Sequence, residues 1–81
     1  MAERTSRLRA PADFGLAIQQ ARLARGLSQA EIGQLLGVPQ STISAIEAGK
    51  STIYLRHLLD LARETGIEFN ATWQDDNAPR D

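Results

Sequence analysis

The residues whose types and spacing could do chemistry are amides and hydroxyls: Gln29, Gln40, Ser41, Thr42 and Ser44, with Ala45 among them and Lys50 closing the stretch. Side chains of this kind match the hydrogen-bonding edges that base pairs present in the major groove of DNA. Gln40 can bond an adenine at N6 and N7 in bidentate fashion, a contact that contributes about 1–3 kcal/mol of discrimination. Ser41, Thr42 and Ser44 are less selective hydroxyls, and Ala45 can face a thymine methyl. Lys50 reads as a phosphate contact. The bland alternative for the whole set is the solvated face of a small helical domain, since periodicity alone does not orient side chains. Catalysis is excluded on other grounds. The chain has no Cys, a single His and no phosphate-cradling Gly-rich loop, and 81 residues are too few for a pocket-sized core.

Four short helices must position these residues. Phe14, Ala17, Ile18 and Ala21 fall at i, i+3, i+4 and i+7 from Pro11 to Arg25, and Gly26 stops the first helix. Ser28 with Glu31 forms a capping box for a second helix over about 29–36, faced by Ile32, Leu35 and Leu36 and ended by Gly37. Pro39 suits the first position of a third, over about 39–47, which stops at Ala48-Gly49. Ser51 and Thr52 can cap a fourth, in which Leu55, Leu58, Leu59 and Ala62 repeat at helical spacing up to Gly66. Helices two and three, joined by Gly37-Val38-Pro39, have the pattern of a helix-turn-helix. Small Gly33 permits close packing, Gly37 takes the left-handed turn, and Ile32, Leu36, Val38, Ile43 and Ile46 plug the space between the helices. The third helix then lies in the major groove.

Ser28-Gln29-Ala30-Glu31, Gly37-Val38-Pro39-Gln40-Ser41-Thr42-Ile43-Ser44 and Glu47-Ala48-Gly49-Lys50 together resemble the Xre/lambda-repressor-like superfamily. With the fourth helix and the strand-like Ile67–Trp73, the chain over about residues 11–73 resembles the HipB-type antitoxins. That resemblance implies a dimeric repressor whose C-terminal strands pair between subunits and which binds and restrains a HipA-type serine/threonine kinase toxin. It also implies that Gln29 holds backbone phosphate while bracing Gln40. Ser41 and Ala45 depart from the larger polar residues of some phage repressors, so the operator is not carried over.

Arg22 and Glu47 are read as structural. Each sits on the inward face of its helix, two unpaired buried charges would cost several kcal/mol, and the residues are therefore expected to pair. The superfamily resemblance implies the same pair. After Gly66, Ile67, Phe69, Ala71 and Trp73 alternate with polar residues as a half-buried strand would, and no second strand is evident. Its backbone groups then pair with the same segment of another copy, so residues 67–73 are expected to seal a homodimer. A domain this small without disulfide or metal also calls for such a staple. The fold expected is thus mainly α, a compact four-helix lambda-repressor-like unit (11–66) with a C-terminal strand pairing across a dimer. It is flanked by a flexible basic arm (1–10) and a disordered acidic tail (74–81).

Net charge is −1, yet it is unevenly spread: +3 over residues 1–25, −1 over 26–50 and −3 over 51–81. Arg4, Arg7 and Arg9 could enter a minor groove or lie along phosphates, or simply be a solvated tail. His57 reads as a surface or subunit-contact residue, and Trp73 as packing or a partner hook. No metal or cofactor is expected. Neither a secretory signal nor a membrane span is legible, which fits a cytoplasmic, nucleoid-associated bacterial protein. The readings carried forward are a DNA-operator-binding dimer with a kinase partner, a free-standing phage-type or restriction-control regulator, and a protein-interaction module that has lost DNA binding.

Overall fold

In the computed structural model, which describes residues 2–75, the elements run β1 (Ala2–Leu8), α1 (Pro11–Ala24), α2 (Gln29–Leu36), α3 (Gln40–Glu47), α4 (Ile53–Thr65) and β2 (Phe69–Asp75). Each helix starts and stops for a local reason. Pro11 opens α1 with its φ already set, and the Asp13 carboxylate accepts the otherwise unpaired N–H groups of Arg9 and Ala10 at 2.8 and 3.0 Å. Ser28 and Glu31 close a reciprocal capping box on α2, with Glu31 N–H donating to Ser28 Oγ and Ser28 N–H to Glu31 Oε1. Thr52 Oγ1 accepts from Leu55 N–H at the start of α4. Pro39 stands one position earlier than expected, at the N-cap of α3 with ψ 143, so the helix proper begins at Gln40. Gly37 and Gly66 end α2 and α4 in the left-handed conformation.

The N-terminal residues correct the expectation of a flexible arm. Ala2–Leu8 is a strand, antiparallel to β2 in the register Leu8↔Phe69, Ser6↔Ala71 and Arg4↔Trp73. The pairing escapes a periodicity reading because Ala-Glu-Arg-Thr-Ser-Arg-Leu has no apolar alternation; its hydrogen-bond partner lies more than sixty residues away in the chain. The expectation that β2 lacks a partner within the chain is corrected with it. Strand β2 starts at Phe69 and continues through Gln74 and Asp75, so Ile67 precedes it, 56% exposed, and the first two residues assigned to the tail belong to the sheet. The rest of that tail, residues 76–81, lies outside the described residues.

Phe69, Ala71 and Trp73 turn their half-buried face inward, and both strands pack on α1. α1 in turn packs on α3, and α3 on α2. The buried apolar core is thin: Ala17, Ala24, Ile43, Leu59 and Ala62. Several positions expected inside are not. Leu35 and Leu36 on α2 are 72% and 64% exposed and Ile46 on α3 about two fifths, because these helices are only two turns long and small residues make the close contacts; Ile18 on the longer α1 is also about two fifths exposed.

Candidate nucleic-acid interface

The site is built on two backbone approaches that only glycine allows. A Cβ on Gly33 would stand 2.6 Å from the carbonyl oxygen of Val38, which seats the turn directly against α2. A Cβ on Gly15 would collide with the carbonyl oxygens of Ile46 and Glu47, which lets the end of α3 lie against α1. Gly49, at φ 84, then reverses the chain as its N–H bonds Ile46, and the N–H of Lys50 returns to the carbonyl of Ala45 at 3.1 Å. Ile43 is buried, and the opposite side of α3 faces outward.

On that outer side Gln40, Ser41, Thr42 and Ser44 are exposed and Ala45 is half-buried. Ser41, Thr42 and Ala45 share a shallow hollow with Lys50, Ser51 and Thr52, so the lysine stands at the end of the same surface. Ser51 and Thr52, capping candidates for the fourth helix by sequence, line this hollow as well, and their adjacency to Lys50 is the signal in the sequence that points to them. His57 is exposed on α4, and Trp73 is half-buried in the sheet. No group of three or more His, Cys, Asp or Glu among the described residues is arranged to hold a metal ion.

Beneath this face Arg22 and Glu47 form an ion pair, with Arg22 Nε donating to Glu47 Oε2 at 2.7 Å and Nη2 to Oε1 at 2.9 Å. Both side chains are buried, and Arg22 Nη1 also donates to the carbonyl of Leu27, tying the loop before α2 to α1 and α3. The hydrogen bond from Arg22 holds the Glu47 carboxyl below the ordinary glutamate range, against burial, and a further bond from Gln29 acts in the same direction. Gln29 at the start of α2 donates through Nε2 to Glu47 Oε1 at 3.0 Å and accepts from Gln40 Nε2 at 3.5 Å. Arg22, Glu47, Gln29 and Gln40 thus form one connected chain, whose link between Glu47 and Gln29 is not visible in the spacing of the sequence.

The three N-terminal arginines are placed away from a free arm. Arg4 pairs with Asp75 at 3.2 Å and Arg7 with Glu68 at 2.9 Å, each across the sheet, while the backbone N–H of Arg9 is held by Asp13. Strand β1 therefore spends part of its positive charge on the acidic end of the chain.

Two short helices joined by a glycine turn, the second with its polar face outward and braced on a buried ion pair, define a helix-turn-helix protein. The chain matches the HTH_3 helix-turn-helix family over residues 18–71 and belongs to it, within the Xre/lambda-repressor-like class of DNA-binding regulators. Such domains are typically non-enzymatic. No curated protein and no solved structure matches the chain. No helix among the described residues is long and apolar enough to cross a membrane.

Proposed function

We propose that the protein is a sequence-specific repressor that binds a double-stranded DNA operator as a homodimer and serves as the antitoxin of a HipA-type serine/threonine kinase, repressing its own operon. The observation that carries the DNA reading is the outward face of α3, where Gln40, Ser41, Thr42, Ser44 and Ala45 are free of the core. Gln29 at the start of α2 and Lys50 after α3 flank that face as phosphate contacts, and the family is one of DNA-binding regulators. A helix of this size fits the major groove, and base contacts come from residues near its start.

The dimer reading is supported by the sheet and by the surface. The sheet has two strands, so one edge of β2 is unpaired among the described residues and can add the β2 of a second copy, giving the order β1-β2-β2-β1. Phe69, Ala71 and Trp73 would then underlie a continuous sheet, with Ile67 exposed beside it. Leu16, Leu23, Tyr54 and Leu61, all more than half exposed, supply apolar surface that a second copy or the kinase would cover. The kinase partner, the autoregulation and a cytoplasmic, nucleoid-associated location follow from the likeness to HipB-type antitoxins in helices, turn and strand.

Selection of binding sites from a random duplex pool at fixed salt, run with wild type and Gln40→Ala, tests the DNA reading. Enrichment of a two-fold-symmetric site with half-sites about 34 Å apart, altered in the variant, is the expected result. Absence of enrichment by wild type would replace this reading with that of a protein-interaction module. Mixing the protein with a purified HipA-type kinase and measuring both complex formation and kinase activity tests the antitoxin role. A kinase that neither binds nor loses activity would leave a free-standing regulator.

A further inference from the structure

Gly66 ends α4 in the left-handed conformation and the N–H of Ile67 returns to the carbonyl of Ala62 at 3.0 Å, so the chain turns back beside the helix it has just left. The last turns of α4, the start of β2 and the end of β1 then border a partly open hollow of about 260 Å³. Its apolar lining is Leu8, Leu59, Ala62, Ile67 and Phe69, of which Leu59 and Ala62 belong to the buried core. Arg7, Arg9 and Arg63 line the same hollow, with Glu68 as its one acid. Arg7 is paired with Glu68 at 2.9 Å and Arg63 with Asp60 at 2.6 Å, in each case between side chains about half exposed or more. Ion pairs so open to water contribute little and exchange readily with another anion. The Arg9 guanidinium has no ion-pair partner among the described residues, and only its backbone N–H is held, by Asp13.

We propose that this hollow binds a medium-chain carboxylate, its acyl chain on Leu59, Ala62, Ile67 and Phe69 and its charged end among the arginines, Arg9 first. Size and charge together single out that class. An apolar cavity of about 150 Å³ accepts benzene. One of about 260 Å³ therefore takes an acyl chain of about eight carbons, and it is smaller than the roughly 300–1,000 Å³ sites that hold larger ligands. Three cations against one acid in the lining favour an anion, and a guanidinium meets a carboxylate through two parallel N–H···O bonds. Inorganic phosphate would leave the apolar lining uncovered, and an alcohol would leave the guanidinium groups unanswered. No residue of the hollow belongs to the outward face of α3, so the inference stands apart from the DNA-binding reading.

Titration of the isotope-labelled full chain with octanoate, followed through backbone amide chemical shifts, tests this. Saturable shifts are expected at Leu8, Arg9, Ile67 and Phe69, with Ser41 and Ser44 on α3 unmoved. Across butanoate, hexanoate and octanoate the dissociation constant is expected to fall about fourfold for each added methylene. Octanol, with the same tail and no charge, should bind more weakly than octanoate. Arg9→Gln changes an exposed side chain and keeps the backbone bond to Asp13; it is expected to weaken octanoate about fivefold and to leave octanol unchanged. Arg25→Gln, exposed and outside the hollow, should alter neither. Shifts that do not saturate, or that spread over the whole surface, would overturn the inference. Butanoate binding as tightly as octanoate would make this a bare anion site, and equal weakening by Arg25→Gln would reduce it to general charge attraction; either result refutes it. Movement of the same four amides on dilution without octanoate would give the hollow to a second copy of the chain, and would refute it as well.

Discussion

Arg22 and Glu47 are the residues on which the fold is most sensitive to a single change. Removing one partner leaves a buried charge unpaired, so Glu47→Ala is expected to lower unfolding free energy by about 3–5 kcal/mol in denaturant melts. Gln40→Ala, on an exposed position of α3, should melt within about 0.5 kcal/mol of wild type while losing base preference. The ion pair also sets a pH dependence. Glu47 titrates below its ordinary value of about 4.5 because Arg22 donates to it, so the unfolded chain takes up a proton first as pH falls. Its contribution is therefore complete above about pH 4.5 and is lost as pH drops toward the depressed folded value. Glu31, lowered by its bonds to Ser28, contributes with the same sign. Thermal melts of wild type should thus fall from pH 5 to 3 more steeply than those of Glu47→Gln, about parallel curves being the result that excludes this assignment.

Among the elements, the helices are short and owe their limits to caps and glycines rather than to length. Alanine normally stabilises a helix relative to glycine by about 1 kcal/mol. At Gly15 and Gly33 the expectation is reversed, because the added Cβ meets a backbone carbonyl oxygen that no side-chain rotation can clear. Each substitution should lower stability by about 1–3 kcal/mol, and Gly33→Ala should also weaken DNA binding by moving α3 away from α2. A pair of variants that gained stability would show that neither close approach persists in solution. Thr52→Ala should cost about 1 kcal/mol through loss of the cap on α4, read by the same melts.

At the scale of the whole molecule, the first and last strands of the described residues are fastened to each other, and both pack on α1. Deleting residues 2–8 would take away the ladder partner of β2, the Arg4–Asp75 and Arg7–Glu68 pairs, and part of the cover over α1. Such a truncation should unfold at lower temperature, and sedimentation should show it self-associating more widely, because β2 then presents both edges. Wild type is expected to sediment as a dimer. A monomer at concentrations that saturate DNA would remove the β2-edge dimer and the two-fold-symmetric operator together. Since surface ion pairs across the sheet are worth little each, charge reversal at Arg7 alone should change the melting temperature by no more than a few degrees.

The sequence by itself determined the four helices, their glycine and Ser/Thr boundaries, the turn between α2 and α3, and which polar residues occupy α3, because each depends on neighbours a few positions away. Gly37 and Gly66 announce left-handed caps, and the capping box at Ser28 needs only Glu31, three residues on. The alternation from Phe69 to Trp73 likewise announced a strand, though not what it pairs with. Tertiary structure alone decided that partner, since β1 has no apolar period and its seven residues become a strand only through hydrogen bonds to a segment at the far end of the chain. It alone also decided which apolar positions are buried, leaving Leu35 and Leu36 exposed, and it joined Glu47 to Gln29 across eighteen residues. Those outcomes depend on how helices two turns long cross one another, a geometry set by backbone approach at Gly15 and Gly33 and not by the spacing of residues along any one helix.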